Sequence, residues 1–239
     1  LTSNVFLAGT EDRPAWAQPY LVRELDGVRV AFIGFTNTDV PELVNPTFVE
    51  DLEFRDPAPI VNALAAELRA DQGVDVVVAF GHAGALACTD AFGRACTGEL
   101  VNLAGQLSGV DVLAGDHTGR QVNLTTADAD GDPILVTENL SKGARYTEIK
   151  LVTDADGTLL YKTARWHRPW NIGVASNGAI ATLIAGLKTA LGPILNLQIG
   201  TSTVEIPRAD PCGNAEGRTC ESLEGNLVTD AQRAKYGVD

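Results

Sequence analysis

Val74-Asp-Val-Val-Val-Ala-Phe-Gly-His82 and Val110-Asp-Val-Leu-Ala-Gly-Asp-His117 decide how the rest of the chain is read. Each is a short apolar run behind Val-Asp, the composition of a strand buried on both faces of a parallel sheet. Each meets Gly and then, at once or one residue later, His where the strand should end. Between them, residues 98–107 put Leu100, Leu103, Ala104 and Leu107 on one helical stripe. The three segments predict a βαβ unit with a histidine at the carboxyl end of each strand. Open α/β sheets hold their ligands at that edge. A lone histidine is ordinarily a core or surface residue. The chain has three, and two of them occupy matched strand ends beside Gly, which lets a ligand approach the backbone. That doubling makes His82 and His117 candidate ligands of a shared metal ion.

Working outward, Asp26-Gly27 is a two-residue hairpin signal between strands predicted over 19–25 and 28–36. Residues 38–54 carry prolines and no period, and read as loop. Asp56 caps a helix with Pro57 in its first turn and Ile60, Val61, Leu64 and Leu68 on its apolar stripe. After His117, strands are predicted over 121–126, 133–138, 146–153 and 158–166, joined at Asp130-Gly131 and Asp156-Gly157 as an antiparallel meander. Asp116 beside His117 could orient it or ligate, though a polar turn residue at a strand end is the reading preferred, and the acidic stretches 128–132 and 154–157 read as turns. His167, between Trp166 and Arg168, reads as a surface or interdomain residue. Ser176 is placed as the cap of a connecting helix ended by Gly192-Pro193. A strand over 195–206 and a last helix over 221–236 follow, with Leu223, Leu227, Val228 and Ala231 inward.

The net charge of −13 argues against binding a nucleic-acid backbone. It leaves open a small phosphorylated substrate, because a bound cation reverses the local sign. No unbroken apolar run of about 18 residues occurs, so no membrane span is expected. The chain has no Met and starts Leu-Thr-Ser-Asn-Val, which reads as a processed form or a fragment. The four cysteines form two local pairs, Cys88/Cys96 and Cys212/Cys220, in loops of small and polar residues. Neither pair has the spacing of a metal or redox motif. Two loop-closing disulfides in an oxidising compartment are expected, against the alternative of four reduced thiols. The location expected is therefore secreted, periplasmic or cell-surface.

Several blocks, in order, resemble secreted 5′-nucleotidases of the calcineurin-like metallophosphoesterase superfamily. Residues 19–36, Pro-Tyr-Leu-Val-Arg-Glu-Leu-Asp-Gly-Val-Arg-Val-Ala-Phe-Ile-Gly-Phe-Thr, resemble that family's middle strands. Gly81-His82-Ala83-Gly84 and Gly115-Asp116-His117-Thr118 resemble its fourth and fifth metal-binding blocks. Gly200-Thr201-Ser202, Arg218, Glu221-Ser222 and Gly225-Asn226-Leu227-Val228 with Asp230-Ala231 resemble the opening of its C-terminal domain. The resemblance implies an α/β fold: part of a four-layer αββα metallophosphoesterase sandwich, then a linker helix and the start of a second α/β domain. It places the C-terminal portion of the metallophosphoesterase domain at 1–168, the linker helix at 169–193 and the beginning of the 5′-nucleotidase C-terminal domain at 194–239. It implies hydrolysis of nucleotides or other phosphoesters with divalent metal ions, zinc, manganese or similar, with His82 and His117 as two ligands of one ion. Gly119 stands where the family commonly has another ligand, and the three upstream ligand blocks are not in the sequence. An incomplete metal site is therefore expected, filled by a companion segment or assembly lying beside the strands at 30–35 and 76–80. The other reading is a catalytically incomplete fragment or degenerate relative with a structural or surface-binding role.

Overall fold

A computed structural model describes residues 1–213 and 220–237, in two compact units, Leu1–Ile172 and Gly173–Asp239. The first unit runs β1 (Val5–Leu7), β2 (Tyr20–Leu25), β3 (Val28–Phe35), α1 (Val40–Leu43), a 3-10 turn at Pro46–Phe48, β4 (Leu52–Phe54), α2 (Pro57–Gln72) and β5 (Val76–Gly81). It continues with β6 (Ala87–Cys88), β7 (Cys96–Thr97), α3 (Glu99–Ala104), β8 (Val112–Gly115), β9 (Val122–Ala127), β10 (Pro133–Glu138), β11 (Tyr146–Thr153) and β12 (Leu159–His167). A six-stranded mixed sheet in the order β2-β3-β5-β8-β10-β9 is its centre. β3, β5, β8 and β10 are parallel, and the outermost strands β2 and β9 run antiparallel to their neighbours.

Alternation along each strand separates two cores. Ile33, Val77, Ala79, Leu113, Ile134 and Val136 pack against Val61, Ala65 and Leu68 of α2 and Leu100, Leu103 and Ala104 of α3. Val30, Val76, Val78, Val112 and Leu135 face the other way, onto Ile149 and Leu151 of β11 and Leu159 and Ala164 of β12. Helices, sheet and β-ribbon thus form successive layers of one α/β unit. Asp56 caps α2 by accepting the Ala58 N–H, and left-handed Gly73 closes it. Asp26 and Gly27 both have positive φ, 51° and 85°, the requirement of the tight turn that joins β2 to β3.

The repeated Val-Asp has a local cause. Asp75 accepts the Arg29 N–H at 2.7 Å, and Asp111 accepts the Val77 N–H at 2.8 Å. Each aspartate starts its strand by completing the hydrogen bonds of the strand beside it.

Several expectations need correcting. Residues 38–54 are not plain loop: β4 pairs antiparallel with β1, a long-range partner that no local pattern announces. The strands after His117 are not one meander. β10 lies between β8 and β9, and β11 and β12 pair only with each other, on the opposite face from the helices. β3 and β5 are interior strands, so no unpaired edge exists beside them to receive a companion segment.

In the second unit, α4 (Gly178–Leu195) is capped by Asn177 rather than Ser176, and runs through Pro193 instead of ending there. No strand forms over 195–206. α5 (Leu223–Tyr236) is capped by Ser222, and its Leu223, Leu227 and Val228 are exposed rather than inward. α4 has a mean hydropathy of 1.5 over 18 residues, enough by length and composition alone to cross a membrane. Thr182, Lys188 and Thr189 break the uninterrupted run sought in the sequence. Cys88–Cys96 and Cys212–Cys220 are bonded. Arg218 lies outside the described residues.

Candidate metal centre

β5 and β8 are adjacent and parallel, and both end in Gly at the same edge of the sheet. The loops that leave them carry His82 and His117. His82 Nε2 lies 2.7 Å from His117 Nδ1, and the rings meet edge to face with centroids 4.6 Å apart. His82 Nδ1 lies 2.5 Å from Asp116 Oδ1. Asp116, read from sequence as a turn residue, therefore orients His82. When His82 Nδ1–H donates to the carboxylate, the Nε2 lone pair is the one that faces His117. Phe80, Gly81, His82, Ala114, Gly115 and Asp116 line an open depression at this edge.

Close backbone approach builds the loops. Asp116 N–H donates to Ala83 O at 3.0 Å. A Cβ on Gly115 would fall on Ala83 O, and one on Gly84 would lie 2.6 Å from both Asp116 O and Thr118 Cγ2. His117 itself has φ of 85°, a left-handed conformation that costs a residue with a side chain on the order of 1–3 kcal/mol and persists only where its surroundings enforce it.

Three acidic or amide residues that the sequence reading passed over support this edge. Glu138, 1% exposed, ends β10 opposite Gly115. Its Oε2 accepts the Ala85 N–H at 2.7 Å, and its Oε1 accepts the N–H groups of Thr118 at 3.1 Å and Arg120 at 3.2 Å. Glu99 opens α3, whose Leu100 N–H donates to Gly84 O at 3.1 Å. Burial pushes the Glu99 carboxyl above its ordinary range, and nearby Asp39 adds to this, while His117, the Gly84 N–H and His82 oppose it. Asn37 is buried and donates from Nδ2 to His82 O at 3.2 Å. An acid closing the apolar run Pro133-Ile-Leu-Val-Thr-Glu138 was the one sequence signal available for any of them.

The donor set suits a divalent cation in kind: two imidazole nitrogens face each other, one of them backed by a carboxylate. It is short in number. The one group of three His, Cys, Asp or Glu ligand atoms lying mutually close among the described residues is Asp210, Cys212 and Cys220. The two sulfurs there are bonded to each other and cannot ligate as thiolates. Gly119, with φ of 65°, packs near Ser141 and offers no side-chain donor. His167 stands apart from the pair, stacked on Tyr146 and 2.8 Å from Glu148. The stretches 128–132 and 154–157 are turns: Asp128 Oδ1 accepts from Asp130 and Asp132 N–H, and Asp154 Oδ1 from Asp156 and Thr158 N–H.

No family model matches the chain. The cell wall protein Lmo0130 of Listeria monocytogenes is 29% identical over the whole of this chain, which spans 32% of that protein. A 5′-nucleotidase of Vibrio parahaemolyticus is 34% identical over 84 residues, 35% of this chain and 15% of its own length. Among solved structures, a 5′-nucleotidase precursor from Thermus thermophilus superposes with a TM-score of 0.70 at 24% identity, over 98% of this chain and 45% of that one. The chain has homologues among 5′-nucleotidases and shares its fold with them and with calcineurin-like phosphoesterases. It spans a third or less of the length of these curated relatives.

Proposed function

We propose that the chain is part of a metal-dependent phosphoesterase of the 5′-nucleotidase type, acting outside the cytoplasm on nucleotides or related phosphoesters. The observation that carries this reading is the facing pair of His82 Nε2 and His117 Nδ1, 2.7 Å apart, at the ends of adjacent parallel strands. The two disulfides and the cell wall relative support the location. On this reading residues 1–168 form the C-terminal portion of the metallophosphoesterase domain, 169–193 the linker, which holds most of α4, and 194–239 the opening of the nucleoside-holding domain.

His82 and His117 would hold one divalent ion, zinc or manganese by donor type. Such an ion, when bound, polarises a phosphoryl oxygen and lowers the pKa of water at the site. The chain's own residues do the positioning. Asp116 fixes the His82 tautomer and leaves Nε2 free to ligate. For both nitrogens to ligate, the contact between His82 Nε2 and His117 Nδ1 would have to open and His117 would carry its ring proton on Nε2.

Calorimetric titration of the full chain with zinc or manganese tests this. One saturable site per chain is expected, weakened by more than about tenfold in His82→Ala and in His117→Ala. Binding undiminished in the double variant, or no saturable binding in the wild type, would sink the reading.

A further inference from the structure

Glu138 is a buried acid that offers no ligand to the candidate metal, since its oxygens are taken by backbone N–H groups. We infer that Glu138 is a positioning residue: its carboxylate ties the loop after His82 to the loop around His117 and so sets the separation of the two imidazoles. The inference rests on the metal-site reading for its purpose, but its geometry stands apart from it.

The two loops leave the sheet at β5 and β8, and their N–H groups lose their ladder partners there. Glu138 is one strand further on, paired with Gly115. From that register its two oxygens reach opposite loops. Oε2 takes the Ala85 N–H, three residues after His82. Oε1 takes the N–H groups of Thr118 and Arg120, which bracket the turn after His117. The Thr118 hydroxyl lies 2.7 Å from both Glu138 Oε1 and Ala85 O, and has one proton to give to either. A single carboxylate thus replaces the missing ladder between two loops that carry one candidate ligand each.

The arrangement costs stability if it has no purpose. A carboxylate 1% exposed is expensive to desolvate, and here N–H groups rather than a cation offset that cost. An apolar residue at the end of β10 would leave the buried Ala85 N–H and the part-buried N–H groups of Thr118 and Arg120 without this acceptor. Holding Thr118 and Arg120 also holds the positive φ of His117 between Asp116 and Thr118, a conformation its side chain disfavours when free. The carboxylate and the strained histidine form one device: the first fixes the backbone that follows the second.

Glu138→Gln is the test. The amide keeps the shape but turns one acceptor into a donor, which must face an N–H of one loop or the other. Two readouts are needed. Hydrogen exchange on the metal-free chain should show faster exchange at Ala85, Thr118 and Arg120, with Val78 and Val112 in the core unchanged. Zinc titration should show affinity lowered about 10–100-fold, the effect of removing an outer-shell partner. If wild type binds no zinc, the metal reading fails while the exchange data still decide the positioning role. Unchanged exchange at all three amides would overturn the inference. If Glu138→Gln loses the fold, Thr118→Val decides. It removes only the hydroxyl, and should lower protection at Ala85 and zinc affinity in the same direction but by less. Wild-type values for both in Thr118→Val would overturn the inference equally.

Discussion

Glu99 is held against its own charge. Burial is the main reason, with Asp39 beside it, so its carboxyl titrates above its ordinary 4.5 in the fold. A raised carboxyl pKa means that the folded state disfavours the ionised form. Below 4.5 the group is protonated folded or unfolded and costs nothing. As pH rises through 4.5 the unfolded chain ionises first, and stability falls until the folded group has ionised too. Glu99→Gln removes this cost while keeping an oxygen for the Gly84 N–H. The variant should melt higher than wild type at pH 7, and the difference should vanish near pH 3. A gap that persists in acid would assign the effect to packing instead. Of the residues at this edge, the two histidines were legible in the sequence because each follows Gly at the end of an apolar run. Asp116 and Glu138 were not. Asp116 turns toward His82, thirty-odd positions away, rather than toward its neighbour His117, and Glu138 reaches the site only through the β8–β10 register.

At the scale of elements, the repeated Val-Asp ahead of β5 and β8 predicts unequal consequences for two similar residues. Asp111 accepts the Val77 N–H, pairs with Arg69 at 2.7 Å and faces Lys162 of β12 at 3.8 Å. It joins sheet, helix and ribbon in one place. Burial lowers the Lys162 pKa, and Asp111 is the largest influence opposing that shift. Removing Asp111 leaves Arg69 and Lys162 with less compensation and Val77 N–H without its acceptor. Asp111→Ala should cost about 2–4 kcal/mol by urea unfolding. Asp75→Ala should cost only about 1 kcal/mol, since its exposed hydrogen bond to Arg29 N–H is a single contact. Equal losses would mean that the two aspartates cap strands and nothing more. The elements themselves were legible wherever local signals agree: the Asp26-Gly27 hairpin, the Asp56 cap, the two Val-Asp strands. Reading failed where a partner is remote. β4 needs β1 to be a strand at all, and the change from one sheet to the ribbon between β10 and β11 leaves no mark in periodicity. α4 and α5 mislead for a related reason: an apolar stripe shows which face needs cover, and theirs has none within the described residues of their unit.

For the molecule as a whole, the number of donors decides what the chain does alone. Two-metal phosphoester hydrolysis uses both ions, one on the attacking oxygen and one on the leaving oxygen, and carboxylates to neutralise and space them. This chain brings two facing imidazoles to the sheet edge, and Gly119 adds no donor beside them. Asp116 is engaged with His82 Nδ1, and Glu138 is engaged with backbone N–H groups, so neither is spare. An ion held by two histidines lacks a carboxylate bridge to position water. The expected outcome is that the 239-residue chain binds one ion yet does not turn over AMP or bis(p-nitrophenyl) phosphate with added zinc or manganese. The same assay with a companion polypeptide that supplies carboxylate and imidazole donors should recover hydrolysis that His117→Ala abolishes. Since β3 and β5 are already paired on both sides, donors supplied by a companion would have to approach the histidines from beyond the strand ends. Turnover by the isolated chain, lost in His117→Ala, would show that two imidazoles and their carboxylate supports suffice, and that the donor count has been misjudged.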